Sequence, residues 1–137
     1  MKLARLLHGS GFAAMIILTL ALHAQPVTLT CQLRTDPTQK SQVTFDEAAR
    51  TAFFREEGQD AGPPLKAIFT DTEITWSRFN DYSVNCNNCN SRTVFTLDRM
   101  TGSLVIQTIK VGDNPLHSDG DVLGEGHLDC TVAVKQF

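Results

Sequence analysis

Val27-Thr28-Leu29-Thr30-Cys31-Gln32-Leu33-Arg34 near one end of the chain and Leu128-Asp129-Cys130-Thr131-Val132-Ala133-Val134-Lys135 near the other decide the fold. In both stretches apolar residues fall on every second position, the period of a strand with one dry and one wet face. The two cysteines lie in phase with the leucines and valines, so both side chains point to the dry side.

Working inward from these two segments, the same reading predicts strands at Gln42 to Asp46, Arg50 to Arg55, Leu65 to Thr70, Glu73 to Arg78, Arg92 to Asp98 and Ser103 to Lys110. Ile74 and Trp76 form one inward pair and Phe95 and Leu97 another, with Trp76 assigned to the core. The one helical candidate, Phe45 to Arg50, is too short to stand without tertiary support and reads as a turn. Eight short strands and no crossover helix indicate an all-β fold, an antiparallel up-and-down meander closed as a small barrel, with a β-sandwich as the alternative.

Residues 1–24 read as an export signal. Lys2 and Arg5 give a basic start, Phe12 to Leu22 an apolar run, and Ala24 a small residue at the cleavage position, with Ala21 as a second possibility. The apolar run is short for a permanent membrane helix, and no cysteine follows Ala24 to take a lipid. About 113 residues, 25–137, are then left for a single β domain. Removing Lys2 and Arg5 from the 12 basic residues leaves ten against 15 acids, a formal charge of −5. Nucleic acid, which needs clustered Lys and Arg, is a poor partner for such a chain, and a cationic one is favoured.

In a meander alternate connections share an end. Joins two, four and six (Glu47 to Ala49, Asp71-Thr72, Arg99 to Gly102) are short. Joins one, three, five and seven (Thr35 to Ser41, Glu56 to Pro64, Phe79 to Ser91, Val111 to Gly126) are long. The long set carries Asp36, Glu56, Glu57, Asp60, Asp81, Asp113, Asp119, Asp121 and Glu125 against Lys40, a net of −8, with +3 on the rest of the chain from Gln25 onward. Gathered at one mouth, these acids would attract a cationic small molecule or a basic protein, with Asp60, Asp81, Asp119, Asp121 and Glu125 as candidate binding residues. The competing reading is a loop set that is acidic only for solubility.

Four cysteines in an exported chain predict two disulfides, and pairing Cys31 with Cys130 and Cys86 with Cys89 is favoured because the first and last strands of a barrel must meet. Cys86-Asn87-Asn88-Cys89 also has the spacing of a redox pair, but no helix follows it to lower a thiol pKa, so a loop staple is preferred to thiol-disulfide catalysis. Metal binding by Cys86 and Cys89 with His117 and His127 is a further alternative. The loop bearing Asp113, His117, Asp119, Asp121, Glu125 and His127 fits no EF-hand spacing. Ser118 between His117 and Asp119 is adjacency, not triad geometry, and the pair Glu56-Glu57 would need to oppose each other across a cleft to hydrolyse a glycoside. No Gly-rich phosphate loop is present. A non-enzymatic binding protein without a cofactor is therefore expected, and an envelope structural or assembly factor is kept beside it.

Phe69-Thr70-Asp71-Thr72-Glu73-Ile74-Thr75-Trp76, Phe95-Thr96-Leu97-Asp98-Arg99-Met100-Thr101-Gly102-Ser103-Leu104 and the final strand with Cys130 resemble a group of small exported bacterial proteins without assigned function. These motifs are structural: Asp98 to Gly102 form a hairpin join and Gly102 supplies its unusual backbone angle. More distantly, the architecture is similar to the periplasmic inhibitors of c-type lysozyme, which are small eight-stranded barrels with a cysteine near each end. The Ser-Gly-x-x-Tyr loop of those inhibitors is missing here and Tyr82 is the sole tyrosine, so this resemblance implies architecture alone.

Overall fold

In a computed structural model, residues 25–60, 62–81 and 89–132 are described. They form eight strands: β1 (Val27–Leu33), β2 (Asp36–Asp46), β3 (Thr51–Glu56), β4 (Leu65–Phe69), β5 (Glu73–Asn80), β6 (Ser91–Asp98), β7 (Ser103–Lys110) and β8 (Val122–Val132). Each pairs antiparallel with the next, and β8 returns to β1, so the sheet closes as a barrel and the sandwich alternative is excluded. Closure pairs every strand on both sides, though β3 meets β4 over only Thr51–Lys66 and Ala52–Leu65, so the barrel wall parts there toward the mouth.

The alternation read from the sequence sets the core. Leu29 and Cys31, Val43, Ala52, Ala67, Ile74 and Trp76, Phe95 and Leu97, Leu104, and Leu128 and Cys130 are all buried. Large and small side chains interleave across neighbouring strands. Ala67 stands beside Trp76, which in turn stacks on Phe95 with ring centroids 5.0 Å apart, and Phe54 tilts onto Phe95 at 5.3 Å. Cys31 and Cys130 are register partners, 4.0 Å apart at Cα, and their disulfide fastens the β1–β8 seam. Such a bond indicates an oxidising, extracytoplasmic environment. The export signal lies outside the described residues.

Two strand boundaries differ most from expectation, beside shifts of one or two residues that carry β3 to Glu56, β5 to Asn80 and the start of β6 to Ser91. β2 begins at Asp36, so the first connection is the pair Arg34-Thr35 and not a loop from Thr35 to Ser41. β8 begins at Val122, which moves Glu125 and Gly126 from the last loop into the strand. In both places polar residues or glycines had masked the alternation. Arg50, assigned to a strand, instead takes a left-handed turn conformation (φ 53°) just before β3.

The connections after β2, β4 and β6 close one end. Their polar side chains serve the backbone: Asp46 accepts from the N–H of Ala49 (2.9 Å), Thr70 Oγ1 from that of Glu73 (2.9 Å), and Asp98 Oδ1 from those of Met100 and Thr101 (2.8 and 2.9 Å). Arg99 ties all three turns together. Its N–H donates to Thr72 O (2.8 Å), its guanidinium to Thr70 O (2.7 Å), and it pairs with Glu47 at 3.1 Å.

The N–H groups of Thr101 and Met100 hold the Asp98 carboxyl below its ordinary value, and hydrogen bonds from Arg34 do the same for Asp129. A carboxylate depressed in the folded state stabilises it above the unfolded pKa, and that contribution is lost as pH falls through the folded value. Thermal stability should therefore stay level from neutral pH down to about 5 and drop below about 4. Asp98→Asn, which loses the charge but keeps an acceptor, should flatten part of that drop in a melting series from pH 2 to 7.

Candidate functional site: the open mouth of the barrel

The other end receives Arg34-Thr35 and the three long connections 57–64, 81–90 and 111–121. With Asp36, Glu56 and Glu125 placed in strands, the connections at this end carry Glu57, Asp60, Asp81, Asp113, Asp119 and Asp121 against Arg34. The rim is acidic, though less so than the expected −8.

Of the five candidate binding residues, four belong to this end. Asp60 and Asp81 are exposed in the second and third connections. Asp119 and Asp121 sit in the fourth, where they brace their own loop: Asp119 Oδ1 accepts from the N–H of Gly112 and Asp121 Oδ2 from that of Ser118, each at 2.7 Å. Asp113 accepts from the N–H of Asp119, also at 2.7 Å. These bonds fix the carboxylates in position without removing their charge. Ser118 thus serves the loop through its amide, and His117 Nδ1 stands 3.9 Å from Asp121.

Glu125 is separated from the rest. It lies on the outer wall of β8, where Gln107 Nε2 donates to it (2.7 Å) and His127 Nε2 meets it at 2.6 Å. The Gln107 bond, followed by that to His127, holds its carboxyl below the ordinary value. Among the described residues no three His, Cys, Asp or Glu side chains converge as a metal-ligand set. Cys89 is disulfide-bonded. Cys86 lies outside the described residues, so the thiol chemistry considered for the pair is not placed here.

Inside the rim the barrel is hollow. A cavity of about 610 Å³ opens among β1, β2, β3, β7 and β8, floored by Leu33, Phe54, Ile106 and Leu128. A second hollow of about 570 Å³ shares Phe54, Glu56, Ile106 and Thr108 with it and reaches Arg78, Asn80, Thr93 and Phe95. The inward faces thus turn from apolar at the closed end to polar at the mouth. On β5 and β6, Asn80 Nδ2 donates to Ser91 Oγ (3.2 Å) and Thr93 Oγ1 (2.9 Å), and Arg78 Nε donates to Asn80 Oδ1 (3.3 Å).

Lys110 is buried at the end of β7. Its ammonium donates to Val111 O (2.7 Å) and Asn90 O (3.4 Å), joining the roots of the last two long connections. The sequence reading did not single out Arg78, Asn80 or Lys110, and treated Glu56 as a loop residue. Extending the alternation Ala52, Phe54, Glu56 by one step would have aimed Glu56 inward. Comparison with protein-family models, curated proteins and solved structures returns no match to this chain.

Proposed function

We propose that this chain is an exported binding protein, periplasmic or secreted, whose acidic open end captures a cationic small molecule or a basic protein. The observation that carries this reading is the segregation of the connections. One end holds three short turns cross-tied by Arg99, and the other holds the long connections with six acids against one arginine. Asp119 and Asp121 are held by backbone N–H groups, so their charge is preorganised and little side-chain entropy is lost when a partner arrives.

Salt dependence separates this reading from acids that only confer solubility. Asn keeps one amide oxygen able to accept the bracing bonds now made to Asp119 Oδ1 and Asp121 Oδ2 while losing the charge, so Asp60→Asn, Asp119→Asn and Asp121→Asn can be combined without unpicking the 111–121 connection. With hexalysine as the probe, the triple variant should bind about tenfold more weakly at low ionic strength and show a shallower decline with added salt. Equal affinity and slope in the two proteins would reject the acidic-mouth reading.

A further inference from the structure

We propose that the barrel lumen is itself a small-molecule site, taking a primary amine carried on a compact apolar body. The cavity behind the rim has the dimensions of a ligand pocket, and its floor of Phe54, Ile106 and Leu128 is apolar. Two polar side chains on its wall have no partner among the described residues. Ser41 is 6% exposed and its Oγ is buried without a hydrogen bond. The exposed Glu56 carboxylate, on the same wall, makes no hydrogen bond or ion pair among the described residues, whereas its outward neighbour Arg55 is engaged by Gln42.

Ser41 and Glu56 are register partners on β2 and β3 and belong to the inward faces. Directly opposed residues have Cβ atoms about 5 Å apart, so a single ammonium group can reach the carboxylate and the hydroxyl together, after a turn of Ser41 about one bond. A buried hydroxyl without a partner costs free energy that an occupant with an N–H donor relieves. Lys40, Glu57 and Glu125 also border the opening; Lys40 and Glu57 offset one another in charge, and the Glu125 carboxylate is engaged by Gln107 and His127.

The far wall is kept open by glycine. Gly126 and Gly124 fall on the inward phase of β8, in step with Leu128 and Cys130, and both line the cavity. A Cβ at either position would meet nothing within 4 Å and neither has a positive φ; Gly124 adjoins the register shift of the β7–β8 ladder, whereas Gly126 lies in its regular part, where no backbone demand explains it. Side chains at these two points would fill the space.

The site is independent of the rim reading, since Glu56 and Ser41 belong to strands and the rim acids to connections. The test uses amide chemical-shift titrations of the full exported domain with 2-phenylethylamine, with 3-phenylpropionate and 2-phenylethanol as charge-inverted and neutral probes. The amine should bind at least about tenfold more tightly than either, and Glu56→Gln should remove about that factor, the share expected of one charge-assisted hydrogen bond. Gly126→Leu should abolish amine binding while leaving the spectrum dispersed and the melting temperature unlowered. The Asp60, Asp119, Asp121 triple variant at 0.3 M salt should bind the amine within about twofold of the parent. The proposal is overturned if the three probes bind alike, or if the amine's affinity survives both Glu56→Gln and Gly126→Leu. Loss of amine binding in the rim triple variant alone would assign the cation to the rim and overturn the lumen site.

Discussion

Replacing Cys31 and Cys130 together by alanine should lower the unfolding free energy by about 3–5 kcal/mol, the largest single loss expected in this molecule. The bond spans 99 residues, nearly the whole barrel, and cross-links spanning that length restrict the unfolded chain most strongly. It also sits at the seam, where β8 must find β1 after six intervening strands have formed. The backbone ladder from Leu29–Val132 to Leu33–Leu128 remains in the variant, so the native structure should persist at low temperature with a lower urea midpoint. Alanine is the better replacement, because both sites are buried and a serine would bring in a hydroxyl needing a partner. Reductant is a less specific probe, since it also opens the disulfide involving Cys89. A loss below about 1 kcal/mol would mean that the seam is held by its strands and core alone.

Gly102→Ala should follow, with a loss of about 2–5 kcal/mol. Gly102 has φ +73°, a region that costs an L-residue about 1–2 kcal/mol. Space is the larger difficulty: a Cβ there would lie 2.4 Å from the carbonyl oxygen of Cys130. That atom belongs to a paired strand and cannot swing aside, and the Cys130 N–H donates to Gly102 O at 2.9 Å, holding the turn against β8. Gly120 is the internal control. Its φ is +88°, but nothing lies within 4 Å of its notional Cβ, so Gly120→Ala should cost only the backbone share, about 1 kcal/mol. Similar losses for the two alanine variants, read from urea denaturation, would contradict the close approach of the β6–β7 turn to β8.

The barrel was legible because its inward faces are chemically uniform over most of each strand. Val27 to Leu33 alternates without interruption, as does Phe95 to Asp98, and the cysteines fall in phase at the two segments that must meet. The periodic signal fades where the lumen opens. Pro37 to Lys40 on β2 and Gly124 to Gly126 on β8 face solvent or empty space, so no hydrophobic requirement marks them as strand. The candidate site borders those regions, and this is why Ser41, Arg78 and Asn80 escaped notice and Glu56 was counted with the loop acids. Net charge locates a rim, but a cavity depends on which residues are too small to fill it, and that follows from register and shear, which single-strand patterns do not carry.

The most direct test of a single open, acidic working end is an amide chemical-shift map of the exported domain during addition of hexalysine at low ionic strength. The account predicts that the perturbed amides cluster in 57–60, at Gly62 and in 111–121 and on the adjoining ends of β3 and β8, with Glu47, Thr72 and Arg99 unmoved. Shifts centred on Glu47, Thr72 and Arg99, or spread evenly over both ends, would contradict it.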